Sequence, residues 1–321
     1  MRRFLSAAAK ILISGALLYL ALRGIDLAAI LARINQISLG WIAVAIAVTL
    51  LQILLGALRW EKVSAPCGAP LTVAQALRFN LIGSFFNQTL PSSIGGDAVR
   101  LWLVSRTGAG WRAATYSVLV DRAIGLIALA IVIVGSLPWS YQLIGSAHGR
   151  AGLVLLDFAA LAAGLGFLVF GRLPWTWLTE WLATRHIHAC AVVANKVLFD
   201  RHDGPVIAVL SLVVHVLTAV IAWAVVRSIA APATFDQVFL LVPPIILITM
   251  LPISIAGWGV REATMMVAFG YAGLPQADGL VVSLLYGAVS FAVGAFGGLV
   301  WVMSAEKAEK IQDPVFEETQ A

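Results

Sequence analysis

Two short stretches, half the chain apart, decide how this sequence can fold: residues 90–100 read LPSSIGGDAVR, and residues 251–261 read LPISIAGWGVR. Seven of the eleven positions are identical, at an offset of 161 residues. Proline and glycine both weaken a regular helix, so each stretch marks a break inside the hydrophobic region that surrounds it. The sequence therefore contains an internal repeat whose shared feature is an interrupted helix.

The composition excludes a water-soluble globule. Of the 321 residues, 61% are hydrophobic and 12% are charged, and the mean hydropathy is +0.95. An ordinary soluble domain has roughly 25% charged residues. Apolar stretches of about 20 residues recur, and they are continuous rather than alternating, which indicates membrane-spanning helices and not a β-barrel. The predicted fold class is all-α, a polytopic helical membrane protein.

About eight hydrophobic segments are predicted. Six read as full spans, at about 4–22, 42–58, 114–137, 151–170, 205–226 and 280–303. Two further regions, 79–103 and 237–270, contain breakers: Asn87, Pro91, Gly95, Gly96 and Asp97 in the first, and Pro243, Pro244, Pro252, Gly257 and Gly259 in the second. Because hydrocarbon cannot satisfy freed backbone groups, we expect both regions to be broken, re-entrant-like helical hairpins that enter and leave on the same side.

The repeat extends to the surroundings of the two breaks. Each half, about 1–140 and 150–303, has two spans, a broken hairpin and a third span, within a single membrane domain over residues 1–303. Three full spans is an odd number, so we expect the second copy to be inverted. Inverted repeats with interrupted helices in matching positions are typical of transporters, and their binding sites lie between the breaks.

The basic residues predict the orientation. In this topology fifteen of the 21 Lys and Arg residues lie on inner loops, four lie on outer loops, and Arg122 and Arg261 lie within membrane segments. The positive-inside rule then places both termini, including the charged tail 304–321, in the cytoplasm. Trp41 and Trp60 bracket the second span, and we interpret them as interfacial anchors.

Three motifs resemble a known family. Residues 87–100, NQTLPSSIGGDAVR, strongly resemble the lysylphosphatidylglycerol synthase transmembrane-region family, also called flippase-like; residues 120–125, VDRAIG, and 251–262, LPISIAGWGVRE, look like its second and third motifs. The resemblance covers essentially the whole chain. It implies a bacterial inner-membrane protein that moves or handles a lipid, most familiarly by flipping an aminoacylated phospholipid. Only residues 304–321 follow the last span, so lysyl transfer from a charged tRNA is not expected.

Charged residues in or beside the membrane segments form the candidate site. A charge at the bilayer centre costs at least ~2.5–3.5 kcal/mol, so such residues usually face a wet interior. We expect arginines to hold a phosphate through their forked donors, and acidic groups to meet a cationic group or carry a coupling proton. The alternative is that the charges pair with one another, and that the glycines serve helix packing. The candidate substrate-binding residues are Asp97, Arg100, Asp121, Arg122, Arg261, Glu262, Asn87, Gly95, Gly96 and Gly257.

Other polar residues receive structural interpretations. Asp157 and His215 are each expected to make one interhelical hydrogen bond, and Arg59 is expected to contact headgroups or snorkel. Residues 171–204 are expected to form a solvated, partly amphipathic inner loop. Its His186, His188 and Cys190 have a spacing that could bind a metal, but no fourth ligand is evident, so no metal site is predicted. The two cysteines give no disulfide framework.

The leading functional hypothesis is a lipid translocase or lipid-handling transporter without a cofactor, in which Asp97, Arg122 and Glu262 line a polar groove. The alternatives are a membrane-embedded enzyme acting on a lipid-linked substrate, a transporter of a soluble substrate, and a non-transporting scaffold. The sequence has no DxD, HExxH, nucleophile-elbow or P-loop motif, which argues against an enzyme and against direct ATP coupling. The expected partner is a membrane lipid, with a second copy of the chain or a separate lipid-modifying enzyme also considered, and no nucleic acid.

Overall fold

The computed structural model describes residues 36–90, 95–174, 181–250 and 257–304. Within these ranges the chain forms α-helices and no strands. A 3₁₀ turn at Ala65–Cys67 and a π-helical turn at Ser105–Ala109 link some of them. The α-helices are α1 (Leu39–Ser64), α2 (Val73–Thr89), α3 (Gly95–Val104), α4 (Gly110–Leu143), α5 (Ala147–Phe170), α6 (Leu182–Leu198), α7 (Asp203–Ser228), α8 (Phe235–Thr249), α9 (Val260–Tyr271) and α10 (Gln276–Met303).

Five helical segments of the described part are long and apolar enough to cross a membrane: Leu39–Cys67, Gly95–Leu143, Ala147–Phe170, Asp203–Ser228 and Gln276–Met303. They contain five of the six spans predicted from the sequence, so those five predictions are confirmed. The sixth, at 4–22, lies outside the described residues, as does the tail from residue 305 onward.

Both predicted breaks separate two helices, but the second break is not where its first two prolines suggested. Pro243 and Pro244 are buried inside α8, which continues through them to Thr249. Prolines are tolerated in membrane helices because neighbouring helices and local adjustments satisfy the freed backbone groups. The break instead includes Gly257 and Gly259, with φ of 79° and 83°, a conformation that favours glycine.

Helices α1 and α7 lie side by side and run in opposite directions. At one end the backbone N–H of Ser38 donates to the carbonyl of Ser228 at 2.8 Å. At the other end Nζ of Lys62 lies 2.6 Å from Oδ1 of Asp203. Midway, the amide of Gln52 donates to the carbonyl of Val214 and to Oγ1 of Thr218. The two helices therefore remain paired along their whole lengths.

This antiparallel pair makes the two hairpins begin at opposite ends of the bundle. Helix α2 follows α1 from the end marked by Lys62 and Asp203, whereas α8 follows α7 from the end marked by Ser38 and Ser228. The element order is the same in both halves, since a long helix, a hairpin and a long helix occur as α1, α2–α3, α4 and as α7, α8–α9, α10. The packing also corresponds, because α2 packs on α10 and α8 packs on α4.

Helices α5 and α6 lie between α4 and α7 in the chain. The prediction of a solvated loop at 171–204 is wrong in one respect, because 17 residues of this segment form α6. One face of α6 is buried against α4 and the start of α7, where it contributes to an apolar cluster. The reason is the amphipathic pattern of this segment, which places most of its apolar side chains on one face when the segment is helical. The buried side chains are Cys190, Ala191, Ala194 and Val197.

Replacing Gly96 by alanine is expected to disrupt the first hairpin. A Cβ at Gly96 would collide with the carbonyl oxygen of Gly83 on α2 and with the Asn87 side chain. Because the main obstacle is backbone, α2 and α3 must separate, and we expect a loss of the folded, monodisperse protein in detergent. Gly135→Ala on α4 is the control, since a Cβ there meets nothing within 4 Å. Equal thermal stability of the two variants would contradict this packing.

Candidate functional site

Asp121, on α4, lies at the centre of a buried cluster of charges. Its Oδ1 accepts a hydrogen bond from Nε of Arg59 on α1, and its Oδ2 accepts one from Nη2 of Arg100 on α3, both at 3.0 Å. The three side chains are at most 10% exposed. A buried charge is tolerated only when it is paired and hydrogen-bonded, so Asp121 holds α1, α3 and α4 together through its two partners.

The cluster continues to the edge of a cavity. Nη1 of Arg100 lies 3.2 Å from Oδ1 of Asp97, three residues earlier on α3. Oδ2 of Asp97 lies 2.7 Å from Nε of Arg122, an ion pair without a well-directed hydrogen bond. Three arginines and two aspartates therefore alternate, and the formal charge of the cluster is positive. We call these five residues, Arg59, Asp97, Arg100, Asp121 and Arg122, the charge cluster.

Aromatic and hydroxyl groups hold the charge cluster in place, which corrects two expectations. The guanidinium of Arg100 stacks over the ring of Trp60 at 3.9 Å, and Nε1 of Trp60 donates to Oγ of Ser117. Trp60 is fully buried, so it is not an interfacial anchor. Arg59 does not snorkel to the headgroups either, because its pairing with Asp121 keeps it inside the bundle.

A cavity of about 500 Å³ adjoins the charge cluster, and we call it the polar cavity. It lies between the ends of the two hairpins' first helices, because Asn87 and Gln88 line it from α2 and Thr249 and Met250 from α8. Both halves of the molecule thus contribute a helix end to one cavity. Its other lining residues are Arg59, Asp97, Leu119, Asp121, Arg122, Gly125, Leu126, Val214 and His215.

Asn87 and Gly96 join the two helices of the first hairpin. Oδ1 of Asn87 accepts a hydrogen bond from the backbone N–H of Gly96 at 2.9 Å. This contact satisfies one of the N–H groups that the first turn of α3 leaves free. Gly95 is likewise closely packed, since a Cβ there would meet the side chain of Leu90. Both glycines are therefore packed too closely to accept a side chain.

Arg261 and Glu262 form a separate, neutral pair. Nη2 of Arg261 lies 3.0 Å from Oε1 of Glu262, and Oγ of Ser283 on α10 donates to the same Oε1 at 2.7 Å. Glu262 also accepts the N–H of Gly259, and it is fully buried. The expectation that Glu262 shares a groove with Asp97 and Arg122 is not met, because Glu262 does not line the polar cavity. Its contacts fix the start of α9 just after the second break.

Of the two polar residues predicted to make one hydrogen bond each, His215 does so and Asp157 does not. Nε2 of His215 is hydrogen-bonded to the carbonyl of Gly125 at 2.8 Å, across α7 and α4. Asp157 on α5 is 2% exposed, and neither of its carboxylate oxygens has a hydrogen-bond partner among the described residues. The histidines of α6 point to different partners: His186 meets Tyr116, and His188 meets the carbonyl of Leu173.

Replacing Asp157 by leucine is expected to stabilise the protein. A buried polar group without a partner costs about 1–3 kcal/mol, and an apolar group of similar size removes that cost. The melting temperature in detergent should therefore rise in Asp157→Leu. The control is Ser140→Ala, which removes a buried hydroxyl that does have an acceptor, the carbonyl of Ser136. A lower melting temperature for Asp157→Leu would show that this carboxylate has a stabilising partner.

The spans and the buried charges together define the class: this is a polytopic helical membrane protein with a charged cavity inside its bundle. Residues 7–298 match the family described as the lysylphosphatidylglycerol synthase TM region, and the chain belongs to that family. The family indicates a lipid-handling role in a membrane. No curated protein matches the sequence with significance.

Proposed function

We propose that the protein moves a lipid across the bilayer, with the lipid headgroup passing through the polar cavity. One observation carries the proposal: the ends of α2 and α8, which begin at opposite ends of the bundle, line the same cavity beside a net positive charge cluster. Interrupted helices of two halves that meet around a site are typical of secondary transporters. This arrangement supports transport as the proposed function in preference to catalysis.

The donors of the cavity suit an anionic headgroup. The side chain of Arg122 is 38% exposed, whereas its only ion-pair partner among the described residues, Asp97, is 13% exposed. Nε of Arg122 faces Asp97 at 2.7 Å, so the Nη groups of this half-exposed side chain are the donors beside the cavity. Guanidinium groups bind phosphate through paired N–H donors, so the phosphate of a phospholipid is the group that Arg122 would hold.

The same arrangement supports an inverted repeat and an orientation. The equivalent helices α1 and α7 are antiparallel, as two inverted halves require. Apart from Arg122, Arg150 and Arg227, the exposed and half-buried basic residues of the described ranges lie on the segments that meet at the Lys62–Asp203 end. By the positive-inside rule this end faces the cytoplasm of a bacterial inner membrane, with both termini on that side.

Single cysteines test the orientation. We expect His202→Cys, in the exposed turn before α7, to react from the cytoplasmic side, and Pro232→Cys, in the exposed turn before α8, to react from the other side. The native cysteines should contribute little background, because Cys67 is buried and burial raises the pKa of the Cys190 thiol to about 11. Only the thiolate reacts quickly with a maleimide. Labelling of both positions from the same side of intact cells would contradict a membrane-spanning α7, and labelling from the two opposite sides to those expected would contradict the orientation.

Leaflet-resolved lipid movement tests the proposal itself. The purified protein is placed in phosphatidylcholine vesicles that contain fluorescent phosphatidylglycerol, and an impermeant quencher is added outside. Without protein only the outer-leaflet probe is quenched; with protein we expect the inner-leaflet probe to be quenched as well. Folded protein that moves neither anionic nor aminoacylated phospholipids would contradict the proposal and favour an enzyme or a scaffold. Movement of a soluble solute alone would favour a transporter closed to lipid.

A further inference from the structure

A second cavity, of about 290 Å³, lies between α4, α5 and α8. We call it the apolar cavity, because every side chain that lines it is apolar. The space is left by small residues. Two alanines and a glycine of α5 line it together with Leu126 and Ile127 of α4, and Phe167 of α5 and Leu247 of α8 are also part of the lining. An apolar space of this kind does not attract ordered water, because a buried water needs polar partners.

The apolar cavity lies next to the polar cavity. Leu126 of α4 lines both of them. It lies four residues, about one helical turn, after Arg122, so the guanidinium and the apolar lining follow each other along one face of α4. On α8, Leu247 lines the apolar cavity, and Thr249 and Met250, two and three residues later, line the polar one. A charged space and an apolar space thus share two walls.

Helix α5 forms the third wall, and most of its surface is exposed to the membrane. Only Leu153 and Asp157 are buried among its 24 residues. It packs mainly on α4 and α6. The apolar cavity itself is exposed to the bilayer, because two of its lining residues, Leu126 and Ala163, are exposed.

We infer that the apolar cavity binds a hydrocarbon chain of the lipid whose phosphate lies in the polar cavity. The inference rests on the proposed function and names the second half of its substrate. An amphiphile binds through both a charged site and a neighbouring apolar site, whereas a water-soluble anion has no apolar group to place in the apolar site. Holding one chain between α4, α5 and α8 keeps the headgroup beside Arg122 while the other chain stays in the bilayer.

Cross-linking of a lipid probe to the wild-type protein tests this site without a substitution that could affect folding. The probe is phosphatidylglycerol with a photoactivatable group midway along one chain, in phosphatidylcholine nanodiscs. We expect mass spectrometry to find cross-links on the 160–167 segment of α5 and on Leu247. In Arg122→Gln these cross-links should fall about tenfold, as for the loss of a charge-assisted hydrogen bond. Cross-links to lipid-facing Leu155, which is 72% exposed, should not change.

A filled cavity gives a functional test. Ala160→Phe should lower the rate of phosphatidylglycerol movement by about tenfold, since occupying an apolar pocket excludes its ligand by this order. Ala162→Phe is the matched control, on the exposed side of the same helix. Wild-type protein that moves lipid, with equal rates in both variants and no cross-links in the apolar cavity, would overturn this inference and leave the proposed function intact. Wild-type protein that moves no lipid would overturn the proposed function instead.

Discussion

Asp121→Asn lowers the free energy of unfolding by about 3–5 kcal/mol, the usual cost of removing one partner from a buried ion pair. Asp121 has two arginine partners, each at 3.0 Å, and all three side chains are buried. The asparagine has nearly the same shape, so the loss reports the uncompensated charge on Arg59, since Arg100 keeps Asp97, and not a cavity. Unfolding by sodium dodecyl sulfate in mixed micelles measures the change.

The control is the same substitution at an exposed ion pair. Asp203 pairs with Lys62 at 2.6 Å, but its side chain is 52% exposed. Such pairs contribute about 1 kcal/mol or less, so Asp203→Asn should unfold nearly as the wild type does. If the two variants unfold alike, the charge cluster is not what joins α1, α3 and α4.

Arg122→Gln abolishes most lipid movement while the fold remains. Arg122 lies at the exposed edge of the charge cluster, and its loss leaves Asp97 paired with Arg100. Losing charge-assisted hydrogen bonds to a phosphate costs about 1.5–3 kcal/mol each, which corresponds to a rate about 10- to 100-fold lower if the headgroup must bind in order to cross. The measurement is the quenching of fluorescent phosphatidylglycerol in vesicles.

Arg112→Gln is the matched control for Arg122→Gln. It removes the same charge from the same helix, ten residues earlier, where the side chain is exposed and contacts Tyr116 outside the polar cavity. We expect wild-type rates for this variant. Arg122→Gln that retains both its melting temperature and the wild-type rate would show that this arginine does not hold the headgroup.

Much of the fold follows from local features of the sequence. Continuous apolar stretches predicted five of the described spans, and Gly257 and Gly259 marked the second break because few other residues adopt their backbone conformation. The three-residue spacing of Asp97 and Arg100 allowed a local pair, which was the alternative interpretation of these charges, and the two side chains do pair. Pro243 and Pro244 were misleading, because the effect of a proline on a membrane helix depends on its neighbours.

The centre of the site could not be predicted in the same way. Arg59 and Asp121 are 62 residues apart, and nothing local to either residue indicates the other. Arg59 stands at the end of a span, where snorkelling is the ordinary explanation of a basic residue. Only the packing of α1 against α4 brings the two together.

The two halves also differ where the repeated stretch ends. Arg100 and Arg261 are equivalent within that stretch, and each reaches the next long helix of its own half. There Arg100 meets Asp121, whereas Arg261 meets Ser283 and takes its negative partner from the adjacent Glu262. The eleven-residue match does not include these partners. One half therefore has a charge cluster open to a cavity, and the other has a closed, neutral pair.

The central claim is that a lipid headgroup passes through the polar cavity between the two hairpins. Its most direct test is to block this cavity reversibly with a group attached to a residue of the second half. Met250→Cys places a thiol at the end of α8, where the native side chain lines the cavity and is 38% exposed. A methanethiosulfonate reagent attaches a group that a reducing agent removes. We expect the adduct to stop phosphatidylglycerol movement in vesicles, reduction to restore it, and the same adduct on His202→Cys to have no effect. Full labelling of Met250→Cys with unchanged lipid movement would contradict a headgroup path between the two hairpins.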